Sequence, residues 1–300
     1  MSAAPGQTRA LGAFVLVTLI WGSTWLVIKD QISAVPPAWS VVWRFVLAAT
    51  AMFALARIRG DRLRLAPGEL RIAMAIGLFQ FCINFQLIYR SEHYLTSGLV
   101  AVIFALMILP NAVLARLFLG ARMTPRFVAG SAIALAGIGL LMLHEYRIAP
   151  AADGVLAGAL LVGIAILSVS VGNLLQATAT ARQVPVVSLM AWGMAFGALG
   201  STIYALAAVG LPVLDPRAAY LGGIAYLGLV GSAMTFPLYS QLIREWGPGK
   251  AAYNGVAVPV VAMALSTAFE GYRWTALAVA GSLLALAGLL IALSGREARG

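Results

Sequence analysis

Long apolar segments separated by short polar breaks run along the whole chain. Each is long enough to cross a bilayer as a helix, which takes about 20 residues. Barrel strands would alternate polar and apolar positions, which these segments do not, and a backbone in lipid must satisfy its own hydrogen bonds. The pattern predicts an all-α integral membrane protein with ten transmembrane helices, near residues 10–29, 37–57, 70–90, 97–119, 126–143, 153–178, 185–209, 218–243, 250–269 and 274–294.

Proline and glycine mark the breaks between these segments. Pro36-Pro37 opens the second helix, Pro67-Gly68 precedes the third, and Gly247-Pro248-Gly249 precedes the ninth. Proline suits a helix start because the N–H that it lacks would have no partner there. The loops are short, and none has room for a soluble domain.

Residues 118–139 and 269–290 are two copies of one sequence. The first copy is FLGARMTPRFVAGSAIALAGIG and the second is FEGYRWTALAVAGSLLALAGLL, and 12 of the 22 pairs are identical at a constant offset of 151 positions. We therefore predict two repeats of five helices each, residues 1–150 and 151–300, in one structural unit.

The odd number of helices in each repeat has a geometric consequence. The second repeat must enter the membrane upside down relative to the first, which relates the two by a pseudo-two-fold axis in the membrane plane. Such a pair has two exchangeable arrangements, one open to each side of the membrane. The pattern therefore favours a transporter that works by alternating access, with its substrate site near the midplane between the repeats.

Composition supports a lipid environment. Hydrophobic residues make up 62% of the chain and charged residues 10%, whereas a soluble domain carries roughly 25% charged residues. The net charge of +10 comes from basic residues in loops, so the expected partner is the lipid bilayer and not nucleic acid. One cysteine, Cys82, and two histidines near segment ends, His93 and His144, predict no disulfide and no metal site. We interpret both histidines as interfacial bystanders, and no cofactor is predicted.

The distribution of lysine and arginine predicts the orientation. With the N-terminus inside, 14 basic residues fall on the inner side and 5 on the outer side, and Arg44 lies within a helix. Both termini are therefore predicted to be cytoplasmic, in a multi-pass protein of the inner (plasma) membrane. Since one chain supplies ten helices, we expect a monomer.

Five stretches resemble a known repeat. They are WGSTWLVIK and PPAWSVVWRF in the first two helices, LFLGARMTPRFVAG between the fourth and fifth, and GPGKAAYNGVAVPVVA and FEGYRWTALAVAG in the second half. These stretches resemble the EamA repeat of the drug/metabolite transporter superfamily, and the resemblance covers nearly the whole chain. It implies a ten-helix transporter. Within the family the sequence is most similar to amino-acid and metabolite exporters, including YddG-type aromatic amino-acid exporters.

The turn after the fourth helix of each repeat departs from the family pattern. The family commonly has Glu after Phe-Leu-Gly, where this chain has Ala121 and Tyr272, and Glu270 sits two residues earlier. The Glu–Arg pairing of that turn is therefore not expected.

Three prolines are the candidate hinges. Pro259 matches the family's proline in the middle of the fourth helix of a repeat, and Pro110 lies two residues beyond the equivalent position in the first repeat. Pro237 interrupts the hydrogen-bond ladder of the eighth helix.

Polar and aromatic side chains at membrane depth are the candidate substrate-binding residues, because polar groups in helices usually face the bundle interior or a wet cavity. Trp21, Trp25 and Lys29 form one stripe that suits an aromatic or cationic substrate, or a carboxylate at the lysine. The alternative is an interfacial tryptophan belt with a snorkelling lysine. Arg44 either binds a substrate carboxylate through two parallel hydrogen bonds or anchors a helix end.

Amides on a shared helix face form a second group of candidates. Gln80 and Asn84 share a face of the third helix, and Asn173 lies beside Gln176 on the sixth. Hydroxyls often serve only to join helices, whereas paired amides are rarer and favour a cavity. The remaining candidates are Trp192, Tyr239, Tyr253 and Asn254. Gly130, Gly137, Gly281 and Gly288 instead predict close packing of the fifth and tenth helices.

Acidic residues are confined to the ends of the segments. A proton-coupled exporter of cationic drugs usually shares a buried carboxylate between proton and substrate. We therefore predict facilitated export of amino acids, including aromatic and neutral ones, or of similar small metabolites. The alternatives are proton-coupled multidrug or metabolite efflux, sugar-nucleotide transport, a passive channel and an intramembrane enzyme. An enzyme would need a nucleophile with a base, or a metal pair, at depth, and the sequence offers neither, so we expect no enzyme.

The predicted inversion is testable at one pair of repeat-equivalent arginines. In a Cys82→Ser background, Arg122→Cys is expected on the inner side and Arg273→Cys on the outer side, because the repeats have opposite orientations. A membrane-impermeant maleimide should label Arg273→Cys in intact spheroplasts and Arg122→Cys only after permeabilisation. Labelling of both from the same side would rule out inversion.

Overall fold

The computed structural model describes residues 5–148 and 152–294, with side chains at 10–147, 154–242 and 251–294. All regular elements in these ranges are helical, which confirms the predicted all-α membrane fold. In chain order they are α1 (Pro5–Ala34), α2 (Pro37–Arg59), α3 (Pro67–Ile76), π1 (Gly77–Ile83), α4 (Asn84–Ser91), α5 (Ser97–Phe104), a 3₁₀ turn (Ala105–Met107), α6 (Ile108–Leu119), α7 (Pro125–Ile148), α8 (Ala152–Gln176), α9 (Ala179–Arg182), α10 (Val186–Ala208), α11 (Ala218–Ala225), π2 (Tyr226–Met234), α12 (Thr235–Ala251), α13 (Asn254–Phe269) and α14 (Ala276–Ser294).

Nine helical stretches in the described ranges are long and apolar enough to cross a membrane. The tenth, α13, is apolar but only 16 residues long, shorter than the predicted segment 250–269. The prediction of a break at Gly247-Pro248-Gly249 is wrong, because α12 continues through it to Ala251. Glycine and proline are poor helix formers, but propensity is a weak signal that the rest of a structure can override.

The third helix of each repeat contains a π-helical segment that the sequence did not predict. The segment π1 corresponds to residues 228–234 at the offset of 151, and these lie within π2. In and after π2, the hydroxyls of Ser232 and Thr235 donate to carbonyls five residues back, at Leu227 and Val230. Pro237 follows within three residues and offers no N–H to Ala233. Interruptions of this kind are frequent at functional sites.

The helices form two compact units that do not follow the order of the chain. The first unit comprises Met1–Leu26, Tyr94–Gly163 and Leu238–Gly300, and the second comprises Val27–His93 and Ile164–Pro237. Each unit therefore takes helices from both predicted repeats. The boundary predicted between the repeats falls on residues 149–151, outside the described residues, and stays a prediction.

In the first unit, α7 and α14 approach each other at four glycines. A Cβ built on Gly130 would lie 2.6 Å from the oxygen of Gly288, and one on Gly137 would lie 2.7 Å from the oxygen of Gly281. No side chain fits at these distances, so the two backbones touch directly. The predicted packing of the fifth on the tenth helix is confirmed.

These two glycine–glycine contacts follow the symmetry of the repeats. Gly130 and Gly281 are equivalent at the offset of 151, as are Gly137 and Gly288. Exchanging the repeats turns the contact of Gly130 with Gly288 into that of Gly281 with Gly137. Partner numbers fall along α14 as they rise along α7, so these equivalent helices are antiparallel, as inverted repeats require.

A second junction in the first unit involves Glu270. Its carboxylate accepts hydrogen bonds from the Ser97 backbone N–H, at 3.2 Å, and from the Ser97 hydroxyl. Ser97 is the first residue of α5, whose own N-cap, Thr96, makes no side-chain cap. A carboxylate near a helix N-terminus satisfies free N–H groups and complements the helix dipole. Glu270 thus joins the end of α13 to the start of α5.

In the second unit, the π-segments pack on the second helices of the repeats. π1 lies on α10, where a Cβ on Gly77 would be 2.6 Å from the oxygen of Gly193. π2 lies on α2, where a Cβ on Gly228 would be 3.1 Å from the oxygen of Arg44. Trp39 and Tyr220, both fully buried, belong to the core between α2, α10 and α11.

The α7–α14 contact predicts opposite effects for two nearby glycines. Gly137→Ala should lower the free energy of unfolding by about 1–3 kcal/mol, because its Cβ forces the helices apart. Gly139→Ala has open space at its Cβ and should leave stability unchanged or raise it by up to about 1 kcal/mol through helix propensity. The measurement is the thermal unfolding midpoint of each purified variant in detergent. A Gly137→Ala midpoint at or above that of Gly139→Ala would contradict the packing.

Candidate functional site

Amide side chains meet in the second unit where π1 faces α8. Gln176 donates from Nε2 to Oε1 of Gln80 at 2.6 Å, and a Cβ on Gly172 would lie 2.8 Å from Gln80 Cβ. Ser168 donates to the backbone oxygen of Phe79 at 2.6 Å. The small residues on α8 therefore let its polar side chains reach the irregular backbone of π1.

Asn84 extends this group by one helical turn. It follows π1 directly, is 2% exposed, and donates from Nδ2 to the backbone oxygen of Gln80 at 3.3 Å. Its Oδ1 is buried and accepts no hydrogen bond from the described residues. Burying an amide oxygen without a partner costs about 1–3 kcal/mol. Such an atom in a membrane protein suits a polar ligand.

Arg44 forms a second polar group in the same unit. Its side chain is 3% exposed. Nε and Nη2 both donate to Ser232 Oγ, and Nη1 donates to the Tyr89 hydroxyl, each at 3.3 Å. The guanidinium carbon lies 4.6 Å from the ring centroid of Phe85. Ser40, one turn earlier on α2, is hydrogen-bonded to the Tyr220 hydroxyl at 2.9 Å.

Aromatic rings form a third group, in the first unit. The ring centroids of Trp21 and Tyr239 are 5.1 Å apart, and those of Trp25 and Phe104 are 5.4 Å apart. Neither indole is fully buried. Offset and edge-to-face arrangements are the preferred geometries of aromatic pairs.

Asn254 lies at the start of α13 in the first unit and is 1% exposed. Its Nδ2 donates to Thr18 Oγ1 at 2.7 Å, so it joins α13 to α1. Tyr253 precedes it at the helix cap, partly exposed. Asn173 is half-buried on α8, beside Gly172.

Two of the predicted residues bond the backbone of loops. The Lys29 ammonium donates to the backbone oxygen of Glu92 in the turn after α4. In the same turn, burial lowers the pKa of His93 below its usual value, and Lys29 adds to the effect. Trp192 donates from Nε1 to the backbone oxygen of Leu63 at 2.9 Å, in the loop after α2. Both side chains thus fix a loop to the helix that they belong to.

The candidate hinge prolines occupy three different settings. Pro110 lies in the first turn of α6, after the 3₁₀ turn, and Pro237 lies in the first turn of α12, after π2. Pro259 lies inside α13. The first two therefore coincide with departures from regular α-helix, where bending is easiest.

Sequence reasoning missed two polar features. Tyr89 carried no signal that linked it to Arg44, because the two residues lie on different helices. His144 is 3% exposed and its Nδ1 lies 3.0 Å from the Thr275 hydroxyl, so its interpretation as an interfacial bystander is wrong. Only the packing of α7 on α14 buries it, and position along the chain did not reveal this.

Comparisons with known proteins agree with this architecture. The sequence model of the EamA-like transporter family matches residues 8–143 and 156–294. The chain belongs to the EamA-like transporter family. As a member of it, the protein is a membrane transporter of small molecules, and one of the two matched ranges lies in each half of the chain.

Relatives of this EamA-like transporter are found in several bacteria. The uncharacterized inner membrane transporter YedA of Escherichia coli (strain K12) is 30% identical over 277 residues, 89% of this chain and 87% of YedA. Protein PagO of Salmonella typhimurium is 35% identical over 132 residues, which span 44% of this chain and 43% of PagO. A solved protein structure superposes with a TM-score of 0.69 over 98% of this chain and 99% of its own, at 19% identity, which shows a shared fold.

The amide pair of this transporter makes a prediction about stability. Gln176→Leu should lower the free energy of unfolding by about 1–2 kcal/mol, because Gln80 Oε1 loses its donor inside the protein. The double variant Gln80→Leu with Gln176→Leu should be closer in stability to the original protein than either single variant, since neither amide is then left without its partner. Thermal unfolding of the four proteins in detergent measures the cycle. Additive losses would show that the two amides are not coupled.

Proposed function

We propose that the protein exports amino acids, including neutral and aromatic ones, or similar small polar metabolites from the cytoplasm. The observation that carries the proposal is the buried Oδ1 of Asn84, which has no donor among the described residues. An amino acid brings an ammonium group that donates hydrogen bonds. The neighbouring amides of Gln80 and Gln176 add donors and acceptors without net charge, which suits a zwitterion.

The aromatic rings of the first unit support the same substrate class. Trp21 packs on Tyr239, and Trp25 packs on Phe104. Rings bind apolar or aromatic side chains and attract cations to their faces. A neutral or aromatic amino acid presents both kinds of group.

Alternating access is the proposed mechanism. Inverted repeats give a bundle two equivalent arrangements. The π-segments and the prolines Pro110, Pro237 and Pro259 supply the places where helices bend. We propose that these positions act as hinges while the glycine contacts of α7 and α14 hold the rest of the first unit together.

Export without proton coupling is proposed because acids sit at helix ends. One observation favours a second candidate, proton-coupled export: Glu92, in the turn after α4, is 0% exposed. A buried carboxylate that changes protonation during transport would couple proton and substrate movement. The two candidates differ in their response to a pH gradient.

Counterflow in proteoliposomes tests the function. Vesicles loaded with an unlabelled amino acid should accumulate the labelled one, with saturation and no dependence on a pH gradient. Asn84→Leu should reduce the rate about tenfold or more, equivalent to about 1.4 kcal/mol, by removing the substrate's acceptor. Gln183→Leu, which changes an exposed amide, is the matched control.

Three other outcomes would contradict parts of this proposal. Flux that does not saturate would exclude a carrier. Flux that requires a pH gradient would favour the proton-coupled candidate. No exchange of any amino acid would exclude amino acids as substrates.

A further inference from the structure

The guanidinium of Arg44 forms no ion pair with a described residue in the membrane-spanning part of the second unit. Arg44 lies seven residues after Pro37, the start of α2, and its side chain is 3% exposed. No carboxylate of the described residues lies within 4.0 Å of its guanidinium. Buried charges in proteins are normally paired, because an unpaired ion loses its hydration without replacement.

The hydrogen bonds that Arg44 makes do not replace a counter-ion. Three of its five N–H donors reach the hydroxyls of Ser232 and Tyr89, each at 3.3 Å. Hydrogen bonds from a guanidinium to a carboxylate are shorter, at about 2.7–2.9 Å, and both of their groups are charged. The hydroxyls therefore hold the guanidinium in place but leave its charge and part of its planar edge without a partner.

Aromatic rings flank this cation. The guanidinium carbon lies 4.6 Å from the ring centroid of Phe85 and 5.5 Å from that of Phe45. The ring faces attract the cation but carry no net charge, so they reduce the penalty of burial without neutralising it. They also exclude water from one side, which strengthens any ion pair formed on the other.

We propose that Arg44 binds the carboxylate of the transported molecule, and that the substrates of this transporter are accordingly small carboxylates. The inference rests on the proposed transport function. It keeps amino acids, which are carboxylates, and narrows the other small polar metabolites to those that carry a carboxylate. A carboxylate fits the planar edge of a guanidinium with two parallel hydrogen bonds. Its charge supplies the counter-ion that the described residues lack.

A purely structural brace would not need the charge. Arg44 on α2 reaches Tyr89 on α4 and Ser232 in π2, and a neutral side chain could fill that space without desolvating an ion. Burying an ion carries a desolvation penalty that a neutral side chain would avoid. The charge is therefore explained by a ligand of opposite charge and not by packing.

Matched acids and amides test the inference directly. The probes are L-phenylalanine with L-phenylalaninamide, L-leucine with L-leucinamide, and benzoate with benzamide. Binding is measured from the ligand-dependent thermal shift of the purified full-length protein in detergent. We expect at least one acid to bind about tenfold or more tightly than its amide, and Arg44→Gln to abolish that preference.

Two variants separate recognition from folding. Arg90→Gln removes the same charge at a guanidinium that lies 4.8 Å from the Tyr204 ring centroid, and it should keep the preference for the acid. Arg44→Lys keeps the charge but loses the planar fork, so its preference should be intermediate. If Arg44→Gln does not fold, the acid-over-amide preference is compared between the original protein and Arg44→Lys. An unchanged preference in Arg44→Lys would then overturn the inference.

The results distinguish this inference from the proposed function. Equal binding of every acid and its amide by the original protein would overturn the inference, as would an acid preference that survives in Arg44→Gln. Equal loss of acid and amide binding in Arg44→Gln would show that Arg44 has a purely structural role, and this result would also overturn the inference. Benzoate binding that depends on Arg44, without exchange of any amino acid, would sustain the inference and contradict amino-acid export.

Discussion

Hydrocarbon offers no hydrogen-bond partner to the backbone, and most of this structure follows from that constraint. Every N–H and C=O at membrane depth must be satisfied within the protein, which leaves the helix as the main element. Helix α12 continues through Gly247-Pro248-Gly249 to Ala251. Where the α-helical ladder is interrupted, at π2, hydroxyl side chains donate to the carbonyls that the altered register leaves available.

The same constraint changes what holds the helices together. Lipid tails are as apolar as leucine, so burial of apolar surface does not drive helix association within a bilayer. Association depends on close packing and on polar contacts. The glycines of α7 and α14 supply the first, because they let two backbones touch. The bonds of Glu270 to Ser97 and of Gln176 to Gln80 supply the second, and each satisfies a group that lipid could not.

Polar groups left incomplete inside such a structure indicate function. The hydrogen bonds of Asn254 to Thr18 and of Lys29 to the backbone oxygen of Glu92 join elements. Asn84 Oδ1 and the Arg44 guanidinium are not complete, since one lacks a donor and the other a counter-ion among the described residues. Both belong to the second unit. Asn84 directly follows π1, and Arg44 lies on α2, against which π2 packs. A transporter needs sites of this kind, because its ligand must be bound without being held permanently.

The sequence by itself determined the fold class, the number of membrane segments, the repeat and the family, since each depends on composition or on patterns within one stretch of chain. It also placed Arg44, Asn84 and Gln80 at membrane depth. It did not reveal the π-segments, the burial of His144 or the partners of Arg44. Those depend on which faces of distant helices meet, as Arg44 and Ser232 do across 188 positions. Only the tertiary structure decided them, because an apolar helix has no solvent-facing side to indicate its orientation and small differences in packing select the face that turns inward.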